Sequence, residues 1–317
     1  MEQPHHIAIA RELDLPVERV RFSDARGGHM AYRRLFAETD DGHVYFIKGQ
    51  DSSLFTEDER ATHAQQYLLK EHMLFTYLLD IGYTSTPATS RFINDSYLMI
   101  EGLPVEHGWY WRAPRDDPEL FDAYVRSVLA SFDELQSLPL PPEEYFFPKR
   151  IMQVYMQEGW QYLTPEQIDK VRIASEKLRP ELHESTEAVM DEALDAIASF
   201  SAEGQKLYDV ARPLYLTHHD ARQANIAWHP DRGVKNIDLS WADVGWKNSD
   251  ATMLLIDLAK AGHDVSPYLD QYFNPDHALL LMGWWFGRCA EPTLDGNPIV
   301  RVHQLASALT AYQLLTM

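Results

Sequence analysis

Between Leu214 and Asp250 two short apolar runs each deliver polar residues at fixed spacing, and no other stretch restricts the chain so tightly. It reads LYLTHHDARQANIAWHPDRGVKNIDLSWADVGWKNSD. His218, Asp220 and Asn225 fill the pattern H-x-D-x-x-x-x-N, and an Ile-Asp pair ends the next apolar run at Asp238, thirteen residues past Asn225. A carboxylate beside an attacking hydroxyl acts as a general base, and hard oxygens suit magnesium. A polyphosphate needs a fixed cation as well. On that chemistry Asp220 is expected to accept the proton, while the Asn225 amide and the Asp238 carboxylate hold Mg2+. His218 is expected to brace the loop by hydrogen bonding rather than to react.

Such a pattern gains weight when the remaining parts occur in order. Residues 18 to 48 alternate as strands do, with Val20 and Phe22 before a Gly27-Gly28 turn, then Tyr32 to Phe36, an Asp40-Asp41-Gly42 turn, and Val44 to Lys48. Lys48 closes this last run, in the place of a lysine that contacts ATP phosphates. From Glu57 to Asp80 the apolar residues recur at helical spacing, and Glu71 lies mid-helix, where it would orient Lys48. Two further strands are expected near Thr89 to Ile93 and Tyr97 to Ile100. After Leu103 the character turns helical. Leu120 to Leu138 is amphipathic, Thr164-Pro165 with Gln167 starts a helix through about Leu178, Pro180 interrupts, and Glu184 to Phe200 resumes.

With these residues in place, the chain resembles the aminoglycoside phosphotransferase and choline kinase superfamily of protein-kinase-like small-molecule kinases, over roughly residues 18 to 260. LKEHMLFTYLLDIGYTSTP looks like that family's Glu-bearing helix, SYLMIEGLP like its hinge, and VLASFDELQSLP like the helix that usually ends in Leu-His. The resemblance implies an α+β fold with two lobes. Residues 1–103 would form a small lobe of antiparallel sheet plus one helix, binding ATP, and residues 104–317 a larger, mainly helical lobe carrying the acceptor. It further implies that Glu101 and Leu103 offer backbone groups to adenine, and that Asp250, five residues past Gly245, anchors the catalytic loop. Arg222 stands where many protein kinases carry a lysine that neutralises the migrating phosphoryl group, and the same spacing equally suits a solvated arginine that serves local solubility. The sequence departs from the family at His219, a frequent glycine position, and at Gln136, where histidine is common. Its segment Ser23 to His29 is not a true G-x-G-x-x-G.

Composition sets the partners. Forty-eight acidic against 28 basic residues give a net charge of −20, which repels nucleic acid and anionic membrane and either serves solubility alone or also draws in a cationic small-molecule acceptor. The single cysteine, Cys289, excludes an intrachain disulfide framework and fits a reducing cytoplasm. The opening MEQPHHIAIARELDLP carries no basic-then-apolar leader, and no stretch reaches about 18 uninterrupted apolar residues, so neither export nor membrane spanning is expected.

Three other readings compete. A nucleotide-binding regulator would keep the fold without turnover. A protein-substrate kinase lacks support, because no A-P-E segment follows Asp238. A metal hydrolase built on His218, His219 and His229 with Asp220 and Asp238 meets the objection that adjacent residues on an extended segment point opposite ways. Trp109, Tyr110 and Trp111, with Trp284 and Trp285, are either an acceptor-lining cluster or core.

Overall fold

The computed structural model describes residues 3–25, 32–50, 58–207, 210–292 and 298–317. Along them run helix α1 (Pro4–Glu12), strands β1 (Val20–Asp24), β2 (Tyr32–Thr39) and β3 (Val44–Gln50), helix α2 (Asp58–Asp80), strands β4 (Ser90–Ile93) and β5 (Tyr97–Glu101), and helix α3 (Pro118–Ser137). Helices α4 (Ile151–Glu158), α5 (Pro165–Leu178), α6 (Glu184–Glu187) and α7 (Met190–Lys206) follow. Four short strands come next, β6 (Tyr215–Thr217), β7 (Ile226–His229), β8 (Gly233–Asn236) and β9 (Asp243–Gly245). The chain closes with α8 (Ser249–Lys260), α9 (Ser266–Tyr272), α10 (Pro275–Cys289) and α11 (Ile299–Thr316). The strands and helices expected from the sequence form, and β3 runs two residues past Lys48. The expected Gly27-Gly28 turn, with Arg26 and His29 of the irregular loop, lies outside the described residues.

Contacts divide the chain into two compact units, residues 1–131, 141–146 and 224–240 in the first and residues 132–140, 147–223 and 241–317 in the second. The first unit takes in the expected 1–103 lobe and adds most of α3 and the β7–β8 hairpin. Its antiparallel sheet has the order β1-β2-β3-β5-β4. Alternation along the strands sends Leu35, Ala37 and Ile47 to one face, where they pack with Met99 and with Ile9 and Ala10 of α1. Burying Ile9, Leu35, Ile47 or Met99 stabilises by roughly 1.5–3 kcal/mol each. Helix α1 went unread in the sequence, although Pro4 at its first position is a helix-start signal.

The opposite face carries Tyr32, Arg34 and Phe36 of β2 and Phe46 and Lys48 of β3, with Phe36 opposite Phe46 and Arg34 opposite Lys48. Helix α2 buries Leu68, Glu71, Phe75 and Leu78, which recur at three- and four-residue steps and so form one stripe. Hydrogen bonds staple the β7–β8 hairpin into this unit. The Asn236 side-chain amide donates to the Tyr83 hydroxyl at 3.0 Å, Lys235 donates to the carbonyls of Thr84 and Thr86, and Tyr110 exchanges backbone hydrogen bonds with Trp228.

The second unit is built on α10, whose Leu280, Leu281 and Phe286 are buried with Tyr155, Trp160, Ile256 and Leu309. Gly283 on α10 is required, because a Cβ there would lie 2.4 Å from the Trp160 ring. Helix α5 starts as the sequence predicts, with the Thr164 side chain accepting from the Gln167 backbone. No helix among the described residues is long and apolar enough to cross a membrane.

Candidate functional site

In the first unit Lys48 is the centre of a buried ion cluster. Its Nζ lies 3.0 Å from Glu71 Oε2 and 2.7 Å from Asp238 Oδ1. Glu71 is buried because it occupies the apolar stripe of α2, with its side chain only 2% exposed, whereas the Asp238 carboxylate is 38% exposed. Burial alone would pull the lysine down. Asp238 and then Glu71 outweigh it and hold Lys48 above its ordinary value, hence charged. Tyr32 fixes the floor beside it, its ring centroid 5.3 Å from the ammonium and its hydroxyl donating to the Ala64 carbonyl at 3.0 Å.

The β7–β8 ladder carries Asn225 and Asp238 to one place. Ile226 pairs with Asn236, and the Ile237 N–H donates to the Asn225 carbonyl at 2.9 Å, so pairing extends one residue and leaves Asn225 and Asp238 at the open end of one hairpin. Asp238 sits in the left-handed region at φ 56°, and Ser240 Oγ donates to its Oδ1 at 3.1 Å. An amide oxygen and a half-exposed carboxylate so placed fit Mg2+, which uses one or two protein oxygens and completes its shell with phosphate and water. Among the described residues no three or more His, Cys, Asp or Glu side chains gather as a metal-binding group.

At the expected adenine edge, the Gly102 N–H donates to the Val44 carbonyl at 2.8 Å, so alternation turns the backbone groups of its neighbours Glu101 and Leu103 to the other side. The Glu101 carboxylate is committed elsewhere. It accepts from the Ala88 N–H and from Arg232, whose guanidinium also lies over the Trp109 ring at 4.8 Å. The Leu103 carbonyl accepts from the Trp111 indole at 2.8 Å. Trp109 is core, packed with Leu103 and Ala227, and Tyr110 lies against Trp228. Trp284 and Trp285 belong to the second unit, where Trp284 meets Tyr155 and Trp241 and Trp285 is buried.

The second unit holds the other sequence-predicted residues. Asp250, buried at the start of α8, accepts the backbone N–H of His218 at 2.8 Å and of His219 at 2.9 Å. Burial raises its pKa, and the two histidines with their N–H donors act against that rise. His218 Nδ1 accepts the Asp220 N–H at 3.2 Å. His219 takes the left-handed conformation that suits glycine, at φ 62°. Its contacts hold it there, Nε2 donating to the Val244 carbonyl and the Tyr155 hydroxyl donating to its own carbonyl at 2.6 Å. Gly245 makes room, since a Cβ would meet the His219 ring at 2.9 Å.

Arg222 clasps the Asp220 carboxylate through two hydrogen bonds, Nε to Oδ1 at 2.6 Å and a terminal nitrogen to Oδ2 at 2.8 Å. That bidentate geometry fixes the direction in which the carboxylate points. Gln136, at the departure from the family, accepts the Asn248 N–H at 3.1 Å. Sequence reasoning passed over Asp257, which accepts both the Gln223 backbone and side-chain N–H and pairs with Lys260. An acid two helical turns after Asp250, on the same face of α8, was its only signal.

No protein-family model matches the sequence, and no curated protein is significantly similar to it. Solved structures do match. A spectinomycin phosphotransferase solved with ADP and spectinomycin is similar at TM-score 0.56 and 10% identity, over 93% of each chain. The ADP-bound aminoglycoside phosphotransferase APH(2'')-Ib matches at TM-score 0.54 and 13% identity over 99% of each chain. An ethanolamine kinase of Plasmodium vivax matches at 0.53 and 12%, over 96% of this chain and 87% of that one. The chain thus has the protein-kinase-like α+β fold of small-molecule kinases.

Proposed function

We propose that this protein is a Mg2+- and ATP-dependent phosphotransferase that moves the γ-phosphoryl group to a hydroxyl of a small molecule. The observation that carries the reading is Lys48, held charged between Glu71 and Asp238 with 190 residues separating it from the latter. A lysine fixed in this way is a ready phosphate anchor. Asn225 and Asp238 would hold Mg2+, which supplies neutralisation of phosphate charge. Asp220 accepts the acceptor's hydroxyl proton as the new O–P bond forms, and the bond from the γ-phosphorus to the bridging oxygen breaks to release ADP. Backbone groups of Glu101 and Leu103 meet the adenine. Two of the similar structures are named for spectinomycin and for ethanolamine, both small molecules, and the net charge of −20 favours a cationic acceptor here.

One feature favours the regulator instead. The Arg222 clamp engages both Asp220 oxygens, which an acceptor hydroxyl would have to share. Turnover decides between them. ATP consumption is measured across aminoglycosides, macrolides, choline, homoserine and sugars with native protein and Asp220→Asn. Turnover that falls by about 10²–10⁴-fold in the variant, with Mg-ATP binding retained, supports the phosphotransferase. Nucleotide binding with no turnover in either protein supports the regulator.

A further inference from the structure

One cation near Lys48 has no part in the chemistry above. Arg34 lies directly opposite Lys48 in the β2–β3 ladder, on the same face of the sheet. Paired positions bring Cβ atoms to about 4.5–5.5 Å, and like charges so placed repel. The arrangement is nonetheless tightly built. Ala25 donates to the Arg34 carbonyl at 2.9 Å, fixing its backbone between two strands. Its guanidinium donates to the Tyr32 carbonyl at 3.2 Å and lies 5.6 Å from the Tyr32 ring centroid, the same ring that faces Lys48. Burial works against the Arg34 charge, and Asp238 is foremost among the neighbours sustaining it, ahead of Tyr32 and Glu71. Arg34 therefore shares the field of the proposed magnesium ligand.

Two residues along the same ladder stands the half-buried aromatic pair Phe36 and Phe46, with ring centroids 5.6 Å apart. Successive pairs on one face are separated by about 7 Å. This face thus presents flat apolar rings beside two cations, a sequence of surfaces that matches a nucleotide's base and its polyphosphate. The geometry points to Arg34 as a second phosphate-binding cation, paired across the ladder with Lys48, that grips the di- or triphosphate of the bound nucleotide. A guanidinium suits the task because its donors form a planar fork that fits phosphate oxygens, and a shared anion cancels the repulsion between Arg34 and Lys48. It also gives the site charge recognition that the irregular segment after β1 does not announce in sequence. The inference rests on the phosphotransferase reading and refines which residues take the nucleotide.

Binding of Mg-ATP, ADP and adenosine, measured by calorimetry on native protein, Arg34→Gln and Arg34→Lys, tests it. Arg34→Gln is expected to weaken Mg-ATP and ADP by about 10- to 100-fold while adenosine changes by no more than about twofold. Arg34→Lys should recover part of the loss, because it restores charge without the fork. Melting of each unliganded variant shows that it is folded. Unchanged Mg-ATP affinity in Arg34→Gln, or equal losses for ATP and adenosine, overturns the assignment and leaves the phosphotransferase reading standing. Native protein that binds neither Mg-ATP nor ADP overturns both.

Discussion

Replacing Lys48 by methionine probes the buried ion cluster on which the nucleotide site is built. The two carboxylates respond differently. Asp238, 38% exposed, turns to water at little cost, but Glu71, 2% exposed, is stranded on the apolar stripe of α2. Breaking a buried pair by removing one partner costs about 3–5 kcal/mol, because the remaining charge stays desolvated. For a unit of this size each kcal/mol moves the melting midpoint by about 2–4 °C, so Lys48→Met should melt about 6–20 °C below native. The double variant Lys48→Met with Glu71→Leu removes the stranded charge and refills the space with apolar volume. Most of the melting temperature should return, while ATP-dependent phosphoryl transfer stays lost. Circular dichroism melts beside a coupled ADP-release assay read both quantities. A single variant that melts within about 2 °C of native, or a double variant no more stable than the single, refutes the reasoning.

Two further expectations concern the second unit. In Asp250→Asn the side chain keeps one acceptor where the His218 and His219 N–H groups need two, so the loop should lose about 1–3 kcal/mol by urea unfolding, and an unchanged midpoint would remove Asp250 from its anchoring role. His277 is buried, and desolvation followed by the nearby His219 holds its pKa well below the ordinary 6.5. The folded state then binds fewer protons than the unfolded one below that value. Its contribution to stability is complete above pH 6.5 and is lost as pH falls, by up to about 1.4 kcal/mol per pH unit. His277→Gln should flatten that slope, and parallel native and variant slopes in urea melts between about pH 5 and 7 would contradict it.

Much of this was legible beforehand because it depends on local spacing. The Thr164 cap, the five strands of the sheet and the helical stripe that carries Glu71 all follow from local capping and from periodicities of two and 3.6 residues. The family resemblance implied the anchoring by Asp250, whose carboxylate accepts the His218 and His219 N–H groups. Other features carried no local signal. Arg222 read as a possible solvated residue, and only coordinates show both its donors on Asp220.

The sequence by itself determined which segments become strands or helices and which polar residues stand at chemically useful intervals, since backbone geometry and apolar spacing act over a few residues. Tertiary structure decided which of them meet. The β7–β8 hairpin joins the first unit because Lys235, Asn236 and Trp228 bond to segments more than a hundred residues away, and that placement brings Asp238 to Lys48. Strand register decided that Arg34, rather than Arg33, stands opposite Lys48, and a slip of one residue would have sent it to the α1 face. Such meetings arise from long-range pairing, which no window along the chain encodes.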